Sequence, residues 1–336
     1  MSDIRYGIVG SGMIAGVMVK AINAAENATL VGVASRDVNK AKAFADEQGI
    51  PQVFENWQAL VQSDDIDAVY VATPTANREE VALAAIANNK HVIAEKPFAT
   101  LASVERMVKA AEDQGVAFMD ATHFSHNPRT TQVQESTLEL IGEPKSIHTS
   151  FFFPFMDRSN IRFNPEKEPT GAVGDMAWYS MRAVVEYLNT KGEVKSVSGA
   201  IERDEETQAV IRGSGLMTFA DNKTTTFVFG YNSGVCLMDL DLLGEEGMVH
   251  IDDFVLDWKH GFAFDNADHV VGYQHRSGMQ SPKEVPYIAA DSNVAQSTLL
   301  IQQFSQGVTD GDQQKEWRNK ALLTQKLLDQ FWQSVA

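Results

Sequence analysis

The chain has 336 residues, 44% hydrophobic and 22% charged, the composition of an ordinary globular protein long enough for two domains with sizeable cores. A formal net charge of −17 argues against nucleic-acid or anionic-membrane partners, and no run of about 18 apolar residues offers a membrane span. The single cysteine, Cys236, rules out an intrachain disulfide and fits a reducing, cytoplasmic setting, and the opening "MSDIRYGIVG" lacks the charged-then-apolar pattern of a secretory leader.

The first third of the chain alternates between strand and helix. Strands are expected at Ile4–Gly10, Thr29–Ser35, about 52–54, Asp67–Thr73, His91–Glu95 and Val116–Thr122. Helices are expected at Met13–Ala25, about 40–48, Arg78–Asn88 and Leu101–Gln114. Short apolar runs between helical patterns indicate parallel strands covered on both faces, hence a doubly wound Rossmann sheet over residues 1–122. After Thr122 the rhythm changes. A helix should follow Pro128, a strand Lys145–Phe153 and a helix Asp175–Asn189. Strands then follow one another at Val194–Arg203, Ala209–Phe219, Thr224–Tyr231, Val235–Leu243 and Gly247–Ile251. Consecutive strands joined by turns predict an α+β domain over 123–336 with a mostly antiparallel open sheet. An amphipathic helix over 315–335 closes the chain and packs on one of the two domains.

"GIVGSGMIAG" sets Gly10, Gly12 and Ala15 directly after the first strand, as G-x-G-x-x-A. Gly10 permits the tight turn, and Gly12 lets backbone amides approach a pyrophosphate. Met13 and Ile14 open the helix whose positive end would face that anion. The alternative is a glycine turn serving packing alone. The second strand ends in Ser35 and Arg36, where an NAD site usually carries an acid for the ribose hydroxyls. A hydroxyl and a guanidinium suit a 2′-phosphate, so NADP is favoured over NAD; Asp37 lies past the strand end and is expected to face solvent. The alternative for Arg36 is a solvated helix-capping residue.

The fifth strand breaks into Glu95-Lys96-Pro97. Its end lies on the sheet edge where open α/β sheets bind ligands. Proline fixes its own φ and biases Lys96 towards an extended backbone, and the Lys96–Pro97 bond is a candidate for the cis form. Lys96 is thereby aimed beside the nicotinamide end of a cofactor, with Glu95 holding the ammonium or contacting cofactor. The competing possibility is a surface ion pair at a strand end.

Together with "VASRDVNKAKAFA", "YVATPTANREEVALAAIANNKHVIAEKP" and "NIRFNPEKEPTGAVGDMAWYSMR", these motifs make the whole chain resemble the glucose–fructose oxidoreductase / inositol dehydrogenase / rhizopine catabolism (Gfo/Idh/MocA) family. The resemblance implies an NAD(P)-dependent oxidoreductase that interconverts secondary alcohols and ketones of sugars, polyols or related rings. It places the family's catalytic lysine on Lys96 and its second motif on Asp175 and Tyr179, in the Tyr-type branch. It also implies cofactor contacts from Thr73, Pro74 and Asn77, and from Arg162, which would reach cofactor or substrate. The family often has Asn at Thr75 and His at Arg78, so those two contacts are not carried over. Hydride transfer to a ketone leaves charge on its oxygen. Tyr179, a phenol ordinarily titrating at about 10, would donate the proton, and Lys96 would supply the neighbouring cation. The sequence leaves open which of the two is the formal donor. Asp175 would orient a substrate hydroxyl or Lys96. His123, Asn127 and Trp178 are candidates for the substrate pocket. No spacing of His, Cys or acids points to a metal. A homodimer or homotetramer is expected through the second domain's sheet, whose apolar face needs a cover. Two other functions remain at this stage: an NAD(P)-binding regulator without catalysis, and a dihydrodiol-type dehydrogenase acting on non-sugar rings.

Overall fold

The computed structural model describes residues 3–155, 157–190, 192–256, 258–260, 266–290 and 292–336. The chain divides into two compact units, residues 1–122 with 296–322, and residues 123–295 with 323–336.

The first unit runs β1 (Ile4–Val9), α1 (Met13–Ala24), β2 (Ala28–Ala34), α2 (Val38–Gln48), β3 (Gln52–Val53), α3 (Trp57–Val61), β4 (Ala68–Val71), α4 (Thr75–Ala87), β5 (His91–Ala94), α5 (Leu101–Gln114) and β6 (Phe118–Asp120). The helix ends follow from local chemistry. Asp37 and Thr100 cap α2 and α5 through their side chains, and Gly49 and Gly115 end those helices in the left-handed conformation. The six strands are parallel in the order β3-β2-β1-β4-β5-β6, the doubly wound order with its switch point between β1 and β4.

Alternation along the strands divides the core. Tyr6, Ile8, Leu30, Val33, Tyr70, Ile93 and Met119 face α1, where Ala15, Met18, Val19 and Ile22 meet them. The same layer holds Leu300, Ile301 and Phe304 of α8 (Gln296–Gly307) and Trp317 of α9 (Gly311–Val335). Ser305 of α8 bonds the buried phenol of Tyr6 at 2.8 Å, and Phe304 stacks on Trp317 at 5.4 Å. A single second domain over 123–336 was expected; the division differs because α8 and the start of α9 bury their apolar stripe against α1 and the first sheet.

The second unit carries α6 (Pro128–Ile141), β7 (Pro144–Phe152), α7 (Trp178–Tyr187), β8 (Val194–Arg203), β9 (Val210–Phe219), β10 (Thr224–Gly230), β11 (Leu240–Gly244), β12 (Gly247–Ile251), β13 (Gly272–Ser277) and β14 (Tyr287–Ala289). They form one sheet in the order β14-β13-β12-β11-β7-β10-β9-β8. All neighbours are antiparallel except β7 and β10, which run parallel because β10 follows β9 through a tight turn and inserts beside β7. One face is apolar. Ile147, Thr149, Phe151, Phe227, Phe229, Met217, Leu240 and Leu242 are all buried. Phe331, near the end of α9, meets Phe227 edge-on at 4.8 Å, and Ser180 of α7 bonds Thr149 at 2.8 Å.

The cover that the apolar face needs therefore comes from the chain's own helices, which corrects the reason given for expecting a partner there. The opposite face presents His148, Ser198, Ser214, Leu216, Thr226 and Val228 around a groove of ≈ 280 Å³. No described helix is long and apolar enough to cross a membrane.

Candidate active site

In the first unit, register brings the strand ends together. Val9 pairs with Ala34 and Val71, Val71 with Ala94, and Ala94 with Asp120. The residues that follow these positions leave the sheet along one edge: Gly10, Ser35, Ala72-Thr73 and Glu95-Lys96. Gly10 has φ +126°, and a Cβ there would lie 2.6 Å from the carbonyl oxygen of Ala72, so only glycine fits. Gly12 is the N-cap of α1, and it brings no side-chain cap to the amides of that first turn. A Cβ on Gly12 would meet nothing within 4 Å, while Met13 is exposed and Ile14 half-buried. Uncapped amides, the positive helix end and open backbone fit a dinucleotide pyrophosphate.

Ser35 accepts a bond from the Ser11 hydroxyl at 3.1 Å, and Arg36 is exposed. Asp37 is exposed as expected, and its carboxylate has a task of its own: Oδ1 accepts from the amides of Asn39 and Lys40 at 2.9 and 3.3 Å, capping α2. Past β4, helix α4 starts at Thr75, three residues earlier than expected, behind Thr73 and an N-cap at Pro74, with Asn77 exposed in its first turn.

The Lys96–Pro97 bond is cis. The sequence allows Glu95 to hold the Lys96 ammonium or to contact cofactor. Glu95 is buried, taking the Tyr70 hydroxyl on one oxygen and the Lys96 amide on the other at 3.3 Å. Burial pushes its carboxyl above the usual carboxylate range, against the opposing pull of Lys96, the Tyr70 bond and Arg78. The reason for its inward turn is Tyr70 on the neighbouring strand, a buried hydroxyl that needs a partner.

In the second unit, Asp175 was expected one α-helical turn before Tyr179. The backbone over Val173–Ala177 is instead a π-helix that passes into α7 at Trp178. Such wide turns occur often at functional sites, and no residue in the stretch announces one. Asp175 accepts from Nε of Arg162 at 2.6 Å and from the hydroxyl of Tyr231 at 3.2 Å, both on Oδ2. Arg162, expected to reach cofactor or substrate, spends Nε on this pair, and its guanidinium lies over the Phe155 ring at 4.3 Å. Burial works against the Arg162 charge, but Asp175, together with Tyr231 and Glu168, outweighs it and raises the guanidinium's pKa. Burial first, then the Asp175 charge, holds the Tyr231 hydroxyl well above the ordinary phenol range, so it stays a donor.

Tyr179 is 6% exposed and packs among Phe151 (5.2 Å), His123 (6.1 Å) and Phe124 (6.2 Å). His123, a substrate-pocket candidate, thus lies beside the Tyr179 ring. Asn127, a second candidate, caps α6 by accepting from the Arg129 amide at 2.9 Å. Trp178, the third, is fully buried with Arg182 over its ring at 5.8 Å, so it is core and no pocket wall. One residue that bonds Asp175, Tyr231, was not singled out from sequence. Tyr231 closes a strand with no distinguishing neighbour. Arg78, where the family often has His and no contact was carried over, is 4% exposed. Among the described residues, no group of three or more His, Cys, Asp or Glu is arranged to hold a metal ion.

The model of an oxidoreductase family with an NAD-binding Rossmann fold, GFO/IDH/MocA, matches residues 4–122, and that of the GFO/IDH/MocA C-terminal domain matches residues 139–250. A dTDP-3,4-didehydro-2,6-dideoxy-alpha-D-glucose 3-reductase of Actinomadura kijaniata is 27% identical over 98% of this chain and 94% of its own. D-xylose 1-dehydrogenase (NADP(+)) 2 of Haloferax volcanii is 32% identical over 57% of this chain and 59% of its own. The crystal structure of KijD10, a 3-ketoreductase from Actinomadura kijaniata in complex with NADP and TDP-benzene, superposes with a TM-score of 0.87 at 25% identity, covering 99% of this chain and 98% of that one.

Proposed function

The chain belongs to the Gfo/Idh/MocA oxidoreductase family, and we propose that it transfers a hydride between NADP and a secondary alcohol or ketone on a sugar, polyol or related ring. The observation that carries this is the shared strand edge of the first unit, where the Gly10–Gly12 turn and Lys96 leave neighbouring parts of one sheet. Relatives named as a dTDP-sugar 3-reductase and a D-xylose dehydrogenase support the substrate class.

NADP is the proposed cofactor in preference to NAD. Ser35 and Arg36 directly follow β2, and the nearby carboxylate of Asp37 is engaged with the amides of α2. The relative whose name includes NADP(+) and the solved 3-ketoreductase with NADP agree with this reading. When bound, the reduced nicotinamide supplies the hydride. The amides of α1 hold the pyrophosphate, and Arg36 and Ser35 take the 2′-phosphate. Lys96 presents positive charge to the carbonyl oxygen as it becomes an alkoxide, Tyr179 delivers the proton, and Asp175 orients the substrate hydroxyl. In the oxidative direction Tyr179 accepts the proton instead.

Lys96→Met tests this. The expected result is NADPH binding within about threefold of wild type and a loss of ketone reduction of about 10²–10³-fold, of the size seen when electrostatic stabilisation is removed. Unchanged turnover overturns the assignment. A wild-type protein that binds NADPH stoichiometrically, with no hydride exchange across keto sugars, aldoses, inositols and aromatic diols, is the regulator instead. A second copy of the chain is the proposed partner for the outer face of the second sheet, where Leu216 and Leu243 are each 42% exposed. A monomeric mass by sedimentation at micromolar concentration contradicts that.

A further inference from the structure

Arg78 is a guanidinium 4% exposed, and a buried guanidinium must find acceptors. It donates to the carbonyl oxygen of Thr73 at 2.7 Å, to the hydroxyl of Thr75 at 3.1 Å, and to the carbonyl oxygen of Pro97. Thr73 and Thr75 form the turn after β4. Pro97 directly follows Lys96. One planar, rigid group thus ties the turn expected to face the cofactor to the turn that carries the proposed catalytic amine. Lys96 is fixed on its other side by its own amide, which donates to Glu95, and Glu95 is in turn held by Tyr70. The two clamps act on opposite sides of one residue.

We infer that Arg78 is a positioning residue for Lys96, setting the Lys96–Pro97 turn against the Thr73–Thr75 turn so that the two move as one piece. The chemistry needs a fork. A lysine has a point charge and a flexible stem, so it serves one carbonyl with less directional control; a methionine fills the volume and serves none. Sub-ångström placement of a catalytic group governs rate more than ground-state affinity, so the loss belongs in kcat.

This inference rests on the proposed role of Lys96, and the experiment separates the two. Arg78→Lys and Arg78→Met are compared with wild type and with Lys96→Met. Amide hydrogen exchange of the cofactor-free proteins is read over residues 94–99, with α5 as the internal reference. Both Arg78 variants are expected to exchange at least tenfold faster over 94–99, with α5 unchanged. Arg78→Lys, whose volume and charge are retained, is expected to bind NADPH within about threefold and to lose ten- to thirtyfold in kcat with KM within threefold. Arg78→Met is expected to lose more.

Unchanged exchange over 94–99 in both variants overturns the inference, whatever the kinetics. So does a folded Arg78→Lys protein with wild-type kcat, since a merely structural arginine would lower melting temperature without touching kcat. If Lys96→Met keeps its turnover, the role of Lys96 fails on that result alone, and the exchange measurement still decides whether Arg78 holds the turn.

Discussion

The phenol of Tyr231, just past the end of β10, donates to Oδ2 of Asp175 at 3.2 Å. Arg162 donates to that same oxygen at 2.6 Å, so the carboxylate is oriented by two donors from different segments. Tyr231→Phe removes one bond to a charged acceptor and is predicted to lower unfolding free energy by about 1–2 kcal/mol. Asp175→Ala removes the bonded counter-charge of Arg162 in a largely buried place, leaving Glu168 as a further one, and is predicted to lower it by about 3 kcal/mol. Urea unfolding of both variants checks the order. A Tyr231→Phe protein that is the less stable of the two contradicts the account.

Gly10 and Gly12 are predicted to fail differently. Alanine at Gly10 forces a Cβ to 2.6 Å from a backbone oxygen at φ +126°, and is expected to lower stability by about 2–3 kcal/mol. Alanine at Gly12 meets nothing within 4 Å in the protein itself. It should therefore fold with wild-type stability and still lose NADPH affinity by tenfold or more, because its methyl group stands where a pyrophosphate approaches. Thermal melts paired with fluorescence titration of NADPH distinguish the two. Equal affinity in wild type and Gly12→Ala speaks against a phosphate at this helix end.

Arg36→Glu is predicted to exchange one cofactor for the other. A carboxylate at the end of β2 repels a 2′-phosphate and accepts from free ribose hydroxyls. Calorimetric Kd values should show NADP weakened by about 100-fold, with NAD unchanged or tighter. A ratio that does not move means Arg36 is a solvated surface group.

His250 and Asp241 face each other across β11 and β12, with Nδ1 and Oδ1 2.7 Å apart. The Asp241 bond, opposed by burial and assisted by the charges of Asp241, Asp239 and Asp252, raises the imidazole pKa above its ordinary value. His148 also stands opposite Asp241, with its ring bonded to Thr226. A raised folded pKa means that the pair's stabilisation is complete below about pH 6.5 and fades as pH rises through the folded value. The stability gap between wild type and Asp241→Asn should be about 1 kcal/mol or less at pH 5.5 and smaller still at pH 9. Urea midpoints at the two pH values test the sign; a gap that widens with pH refutes it.

Much of the first sheet was legible because buried parallel strands read as short apolar runs, and "VYVAT" and "HVIAE" suit a covered strand better than any helix or turn. The site was legible where a residue type is unusual for its place, as with Lys96 before Pro97 at a strand end. What escaped has physical reasons. Helix α3 has five residues, too few for a period to register. Strand β13, "GYQHRS", is polar on one face and short. The expected strand from Val235 begins only at Leu240, after residues that pair through a single bridge. Helix α8 carries Leu300, Ile301 and Phe304 on one stripe, yet what that stripe covers is a sheet some 200 residues earlier, and local pattern holds no record of such a distance. The bond between Glu95 and Tyr70 was out of reach for the same reason, since Tyr70 belongs to the adjacent strand.

The return of α8 and the first turns of α9 to the opening sheet has a practical meaning for anyone wishing to recombine this protein with a relative. The nucleotide-holding half is not a cassette that ends at Thr122; cut there, the face of α1 bearing Met18 and Ile22 would lose Leu300 and Phe304. The transplantable piece is residues 123–295 together with 323–336, whose Phe331 packs on Phe227, and a graft meant to change substrate while keeping the cofactor should replace both segments and leave 296–322 with its original host.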